Sequence, residues 1–207
     1  MVHMLSAAAK LNQPAEAECA ADGRRLRSER SRQCIVAALI NLIRQGEMLP
    51  SAERVAQEAN VGLRTVFRQF EDMDRLYQEV IEQIEAEVAP LVDRPYASTD
   101  WRAMLSEMIE RRARVFELVM PFKLQSNARQ FQSPFLQEVH RCAVVSDMEL
   151  MNEFLPPSVV DDRTRFCALF AALSFDVWIH LRRDQLKSPE EATRAMRYTV
   201  DALLAGV

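Results

Sequence analysis

No stretch of this chain alternates β-branched and polar residues as a strand does, and this absence restricts the fold more than any other feature. The 207 residues include only four glycines, and many are Ala, Leu, Glu, Arg or Met, which favour helices. The length suits one small unit and one medium unit. We therefore predict an all-α protein of about nine helices.

The formal net charge of −4 hides a basic segment near the N-terminus. Residues 24–70 contain nine arginines against four glutamates, whereas the rest of the chain is acidic. A basic stretch in an otherwise acidic protein is typical of a surface that binds an anion such as nucleic acid. The charge pattern therefore places the candidate binding site in this segment.

Sequence motifs for catalysis or metal binding are missing. The cysteines at positions 19, 34, 142 and 167 form no CxxC pair, the three histidines are scattered, and neither a Gly-rich phosphate loop nor GxSxG occurs. We expect no enzyme activity, no metal and no cofactor, with a helical enzyme as the alternative and a redox-sensing thiol at Cys142 or Cys167 left open. No signal-peptide pattern or apolar run of about 18 residues occurs, so we expect a cytoplasmic protein without a membrane segment.

Turn and cap residues divide the chain into a tail and two domains. Residues 1–23 lack apolar periodicity and predict a mobile tail. Helices are predicted at about 28–45, 52–59, 63–70 and 72–90 in a domain of residues 24–92. The sequence PYAST at 95–99 predicts the linker to a domain of residues 93–207. Its predicted helices are about 100–120, an interrupted stretch at 121–132, and then about 133–155, 158–185 and 188–205.

The second and third predicted helices have the arrangement of a helix-turn-helix. Val66 and Phe70 are four residues apart and form the inner face of the third helix. Arg64 and Arg68, with Thr65 between them, then point outward. An exposed arginine pair fits the major groove of DNA, where a guanidinium can bond guanine or a phosphate. The pattern therefore predicts that this helix binds duplex DNA.

The sequence SAERVAQEANVGLRTVFRQFEDMDRLYQEV resembles the operator-binding motif of the TetR family of bacterial transcriptional regulators, over about residues 28–84. The resemblance implies an N-terminal three-helix helix-turn-helix domain, and a C-terminal helical ligand-binding domain whose last two helices form a dimer interface. We expect a repressor that binds a palindromic operator as a homodimer. The residues expected to contact DNA are Arg44, Ser51, Leu63, Arg64, Thr65, Phe67, Arg68 and Gln69.

Some positions depart from the family pattern. Asn60 stands where Gly usually ends the second helix, and Gly62 replaces the common Ser cap. Phe67 stands where Tyr often offers a hydroxyl to phosphate, and Met73 where Lys commonly does the same. A helix-turn-helix that has lost DNA binding and acts through protein contacts is therefore an alternative. The arginines at 24, 25 and 27 either enter a minor groove or only keep the tail soluble.

Two expectations concern the second domain. Residues 166–181 read FCALFAALSFDVWIHL, which is apolar almost all round and predicts a partner as well as a core. The density of Met and aromatic residues predicts a cavity for an apolar or amphipathic effector that releases DNA, although an ordinary core uses the same residues. The candidate cavity residues are Trp101, Met104, Met108, Phe122, Phe131, His140, Met148, Phe170, Asp176 and Trp178.

Overall fold

The computed structural model describes the backbone of residues 19–207 and the side chains of residues 25–207. Every regular element in this described part is helical, which confirms the predicted all-α fold. Its α-helices are α1 (Cys19–Arg44), α2 (Ala52–Glu58), α3 (Leu63–Gln69), α4 (Met73–Val92), α5 (Trp101–Arg129), α6 (Pro134–Phe154), α7 (Pro157–Val160), α8 (Arg163–Ala172), α9 (Phe175–Ile179) and α10 (Pro189–Leu203). A 3₁₀ turn at Gln130–Gln132 precedes α6, and a π-helical turn at His180–Asp184 follows α9.

Helix α1 begins at Cys19, well before the predicted start at Ser28. Residues 19–23 of the predicted tail are therefore helical, while residues 1–18 of that tail lie outside the described residues. The alanines and arginines around Gly23 favour a helix, and one interior glycine costs only about 1 kcal/mol. The arginines at 24, 25 and 27 consequently lie on helical backbone rather than in an extended arm.

Helices α2 and α3 have the predicted boundaries to within one residue. Gly46 has a φ of 85°, the left-handed conformation that ends a helix, and it follows α1 as expected. The Ser51 hydroxyl accepts a hydrogen bond from the backbone N–H of Arg54 at 3.2 Å and so caps α2. Asn60 has a φ of 52°, which Asn tolerates, and Gly62 precedes α3 without a side-chain cap.

The described residues pack into two compact units. The first contains residues 19–87 and 121–140, and the second contains residues 88–120 and 141–207. The first unit therefore includes residues 121–140, which the sequence assigned to the second domain. Helix α5 also continues through Pro121 to Arg129, although the sequence predicted an end near Met120. Proline lacks the N–H of a regular helical turn, so contacts made by the residues after it must offset that loss.

The predicted helix at 158–185 is divided into α7, α8, α9 and the π-helical turn. An Asp162 oxygen accepts a hydrogen bond from the Arg165 N–H at 3.0 Å and caps α8. The Ser174 hydroxyl accepts one from the Val177 N–H at 3.3 Å and caps α9. Each break is therefore stabilised by a short polar side chain. Helix α10 begins with a capping box at Ser188, which the sequence predicted as the cap.

The core of the second unit lies around Trp178, whose side chain is 0% exposed. The indole N–H of Trp178 donates a hydrogen bond to a Glu117 oxygen at 2.9 Å, and the Arg182 guanidinium bonds both oxygens of the same carboxylate. Among the described residues, no single helix is long and apolar enough to span a membrane. Taken together, the segments Arg163–Ala172 and Phe175–Asp184 would be long and apolar enough, but a bend separates them. Most of their large apolar side chains are buried in the core.

Candidate nucleic-acid interface

Helix α3 has one buried face and one exposed face. Val66 and Phe70 are each 1% exposed and pack in the core of the first unit, as the sequence predicted. Arg64 and Arg68 lie on the exposed face, and Phe67, between them in the sequence, is 51% exposed. The packing of the inner face therefore fixes which side chains α3 presents to solvent.

Five of the nine arginines in the basic segment form two groups that differ in their partners. Arg32 bonds Glu79, Arg44 bonds Glu87 at 2.7 Å, and Arg54 bonds both Glu47 and Glu58. Among the residues that the structure describes, Arg64 and Arg68 bond no carboxylate. Their charges are therefore available for an external anion, whereas those of the first group already have internal partners.

Three other predicted contact residues are engaged within the first unit. Arg44 stacks on the Phe122 ring at 5.7 Å in addition to its ion pair, and the Gln69 amide donates to the Ser28 hydroxyl at 3.0 Å. Ser51 uses its oxygen to cap α2, and its hydroxyl also hydrogen-bonds the Glu53 carboxylate and lowers the pKa of that carboxyl. Leu63, Arg64, Phe67 and Arg68 are thus exposed together on α3, Arg44 and Ser51 are exposed on other segments, and Thr65 and Gln69 are half-buried.

The loop before α2 is held by a residue that the sequence analysis missed. Gln125 of α5 is 2% exposed, and its amide oxygen accepts hydrogen bonds from the Leu49 N–H and the Tyr77 hydroxyl, both at 3.3 Å. Its amide N–H donates to the Glu47 carbonyl. Leu49 has a φ of 52°, which a leucine rarely adopts, so Gln125 stabilises a strained loop. No periodicity marks this glutamine in the sequence, because its role depends on a tertiary contact.

A second contact joins the start of α4 to residues 129–133. The Ser133 hydroxyl donates to an Asp74 oxygen at 2.8 Å, and the Arg129 guanidinium lies 4.9 Å from the centre of the Tyr77 ring. Burial raises the pKa of Tyr77, so its hydroxyl stays protonated and can donate to Gln125 at neutral pH. These contacts explain why residues 121–140 belong to the first unit.

The second unit contains a small cavity of about 60 Å³. Its lining combines apolar side chains with a half-buried ion pair, in which Arg112 lies 3.4 Å from Asp147. Arg111 bonds the Val92 carbonyl and Glu107, so it supports the wall. The full lining is Val92, Tyr96, Met108, Arg111, Arg112, Val115, Phe116, Asp147 and Leu150. Ligand pockets for drug-sized molecules are usually about 300–1,000 Å³, so this cavity is too small for such a ligand as it stands.

Met108 is the predicted ligand residue that lines this cavity. Trp178 belongs to the core, and Trp101 and Phe170 pack partly against that core. Phe131 is 80% exposed, and Met148 and Asp176 are also exposed, so these three do not enclose a ligand here. Phe122 and His140 belong to the first unit, and Met104 is half-buried on α5. In the described part of the chain, no group of three His, Cys, Asp or Glu side chains could hold a metal ion.

Comparisons with known proteins identify the fold. No family model matches the sequence, and no curated protein matches it. The structure is similar to the crystal structure of a transcriptional regulator from Rhodococcus sp. Rha1, with a TM-score of 0.63 and 21% sequence identity. The match covers 85% of this chain and 97% of that one. At this identity the likeness establishes the fold alone.

Proposed function

We propose that this protein is a DNA-binding transcriptional regulator of the TetR type, and that α3 is its recognition helix. The observation that carries the proposal is the pair Arg64 and Arg68, which are exposed, four residues apart and without a carboxylate partner among the described residues. A short helix packed across another, with guanidinium groups on its outer face, suits the major groove. The regulator that shares this fold supports the same assignment.

The protein binds its operator as a homodimer through the helices α8 to α10. Core packing uses one side of α8, and the other side exposes Cys167 and Ala171 and leaves Phe170 partly exposed. An apolar outer face of this kind calls for a partner, and a second copy supplies one by two-fold symmetry. A dimer also explains how a recognition helix as short as α3 gains specificity, because it reads two half-sites.

Selection of bound sequences from random duplex DNA tests the proposal. We expect an inverted repeat, with affinity that falls steeply as salt rises, because phosphate contacts release counterions.

Light scattering should give twice the mass of the 23.7 kDa chain. Ala171→Glu on α8 should shift the protein to a monomer, whereas Ala86→Glu, at an exposed position on α4, should leave the dimer intact. Failure to enrich any sequence would rule out the DNA-binding function, and a non-repeated site with a monomeric protein would rule out the dimer.

We also propose that an amphipathic effector enters the cavity of the second unit and releases DNA. Such a ligand must widen the cavity, and it must therefore separate Arg112 from Asp147 or from the Leu173 carbonyl, to which Arg112 donates at 2.9 Å. Helix α5 supplies residues both to this cavity and to the contacts of Gln125, so a rearranged α5 would affect both units. A ligand that prefers the rearranged state weakens DNA binding by its differential affinity for the two states.

A thermal-shift screen followed by operator titration checks the effector proposal. A stabilising ligand should lower operator affinity by a factor of about 5 to 100, which is the usual range of coupling. Val115→Leu adds a methylene to the cavity wall and should weaken ligand binding, whereas Val119→Leu, on the same helix but outside the lining, should not. If stabilising compounds leave operator affinity unchanged, the cavity does not regulate DNA binding.

A further inference from the structure

The exposed face of α3 carries an apolar patch that the arginines do not explain. Leu63 is 36% exposed and Phe67 is 51% exposed, and they stand one helical turn apart. Within the part of the chain that the structure describes, the Phe67 ring makes no aromatic or cation–π contact. Neither side chain is needed for the core, because Val66 and Phe70 fill the inner side of the helix.

The charges beside the patch indicate what covers it. Arg64 and Arg68 flank Phe67 in the sequence, and both are exposed without a carboxylate partner among the described residues. A wholly apolar partner would have to desolvate these two guanidinium groups at high cost. The major groove instead offers phosphates and guanine acceptors to the arginines, and it also contains one apolar feature, the C5 methyl group of thymine.

The chemistry of phenylalanine indicates which group in the major groove Phe67 contacts. A phenyl ring has no hydroxyl to give to a phosphate, and it has neither a donor nor an acceptor for the polar edge of a base. Its favourable contact in the major groove is therefore with a methyl group. A leucine one turn away extends the same apolar surface along the groove.

We propose that Leu63 and Phe67 form a reading surface for thymine methyl groups, next to the base pairs that Arg64 and Arg68 contact. This inference rests on the proposed DNA-binding function and adds to it the base class that the patch selects. It assigns Phe67 to sequence discrimination rather than to the DNA backbone. Each half-site should therefore contain a thymine whose methyl group is required, although no hydrogen bond reads that base.

Deoxyuridine substitution tests the proposal, because deoxyuridine pairs like thymine but lacks the methyl group. In the operator obtained by selection, each thymine is replaced singly and the dissociation constant is measured. Burial of one methyl group corresponds to about a fourfold change in affinity, so one position per half-site should weaken binding about fourfold and both half-sites together by about 16-fold. Thymines elsewhere in the site should tolerate the replacement.

The variant Phe67→Ala should bind the thymine and deoxyuridine operators with equal affinity, and Leu63→Ala provides a second test of the same surface. Phe131→Ala is the matched control, because Phe131 is 80% exposed in the same unit but lies outside α3, and it should keep the full methyl dependence. Circular dichroism checks that the variants fold, which is expected because both side chains are exposed.

The outcomes separate the two levels of the argument. Specific DNA binding that tolerates deoxyuridine at every position would overturn the methyl-reading role and indicate that the patch contacts protein. Methyl dependence that persists in Phe67→Ala would overturn the role of Phe67, and persistence in Leu63→Ala as well would overturn the whole reading surface, because another residue would then read the methyl group. No enrichment of any DNA sequence would overturn the proposed function itself together with this inference.

Discussion

Replacing both Arg64 and Arg68 by alanine should lower operator affinity roughly 100-fold or more, since each contact to a base or phosphate is worth about 1–3 kcal/mol. The fold should not change, because both side chains are exposed and neither bonds a carboxylate in the described part of the chain. The salt dependence of operator affinity shows how much of this loss comes from phosphate contacts and how much from base contacts. Each lost phosphate contact reduces the slope of log affinity against log salt by about one, while a lost guanine contact relaxes one base preference instead.

A control must separate contact from net charge. Arg114→Ala with Arg183→Ala removes the same two charges from exposed positions of the second unit, so the net charge of the protein changes by the same amount. Titrations of both double variants against the selected operator, at two salt concentrations, should show a large loss for the α3 pair and a small one for the control. Equal losses would mean that α3 is not the recognition helix.

The ends of α2 and the buried face of α3 could be predicted because their signals are local. Ser51 and Asn60 mark the ends of α2, and Val66 and Phe70 at a spacing of four determine which face of α3 is buried. These features act within one or two helical turns, so they can be read without knowledge of the rest of the fold. The exposure of Arg64 follows from the same spacing. Whether the exposed face binds DNA stays a prediction until affinity is measured.

Helix ends that depend on weak or competing signals were predicted less well. Residues 19–27 contain Gly23 and few apolar residues, so the sequence indicated a tail, whereas the alanines and arginines carry α1 back to Cys19. The break between α8 and α9 was missed, because residues 166–181 are apolar on both sides of Ser174. A single serine in an apolar run does not by itself indicate a helix break. The break becomes evident only in the structure, where the Ser174 hydroxyl caps α9.

Tertiary roles could not be read from composition. Gln125 supports the loop at Leu49 across 76 positions of sequence, and no local pattern marks a contact at that distance. In the sequence, the aromatic residues of the second predicted domain are indistinguishable by composition, but the structure places them in three different environments. Trp178 is core, Phe131 is on the surface, and Phe116 lines the cavity. Burial decides among these positions, and burial follows from packing between helices distant in sequence.

The two tryptophans of this chain should differ sharply in what they contribute to stability. Trp178→Ala should lower the free energy of unfolding of the second unit by about 3–5 kcal/mol, because it removes a fully buried indole and leaves a cavity beside Phe116 in the core. Glu117 keeps its ion pair with Arg182 in this variant, so the loss measures packing more than an unpaired charge. The same pairing raises the pKa of Arg182 and keeps it charged.

Trp101→Ala is the matched control, because this tryptophan is only partly buried and stacks on the exposed Arg102 side chain. It should cost much less than Trp178→Ala, and each variant keeps one tryptophan whose fluorescence reports unfolding. Denaturant titrations followed by fluorescence and circular dichroism give both free energies. Trp178→Phe should lie between wild type and Trp178→Ala, since it keeps a ring and loses the N–H bond to Glu117. Equal losses for Trp101→Ala and Trp178→Ala would contradict the placement of Trp178 at the centre of the core.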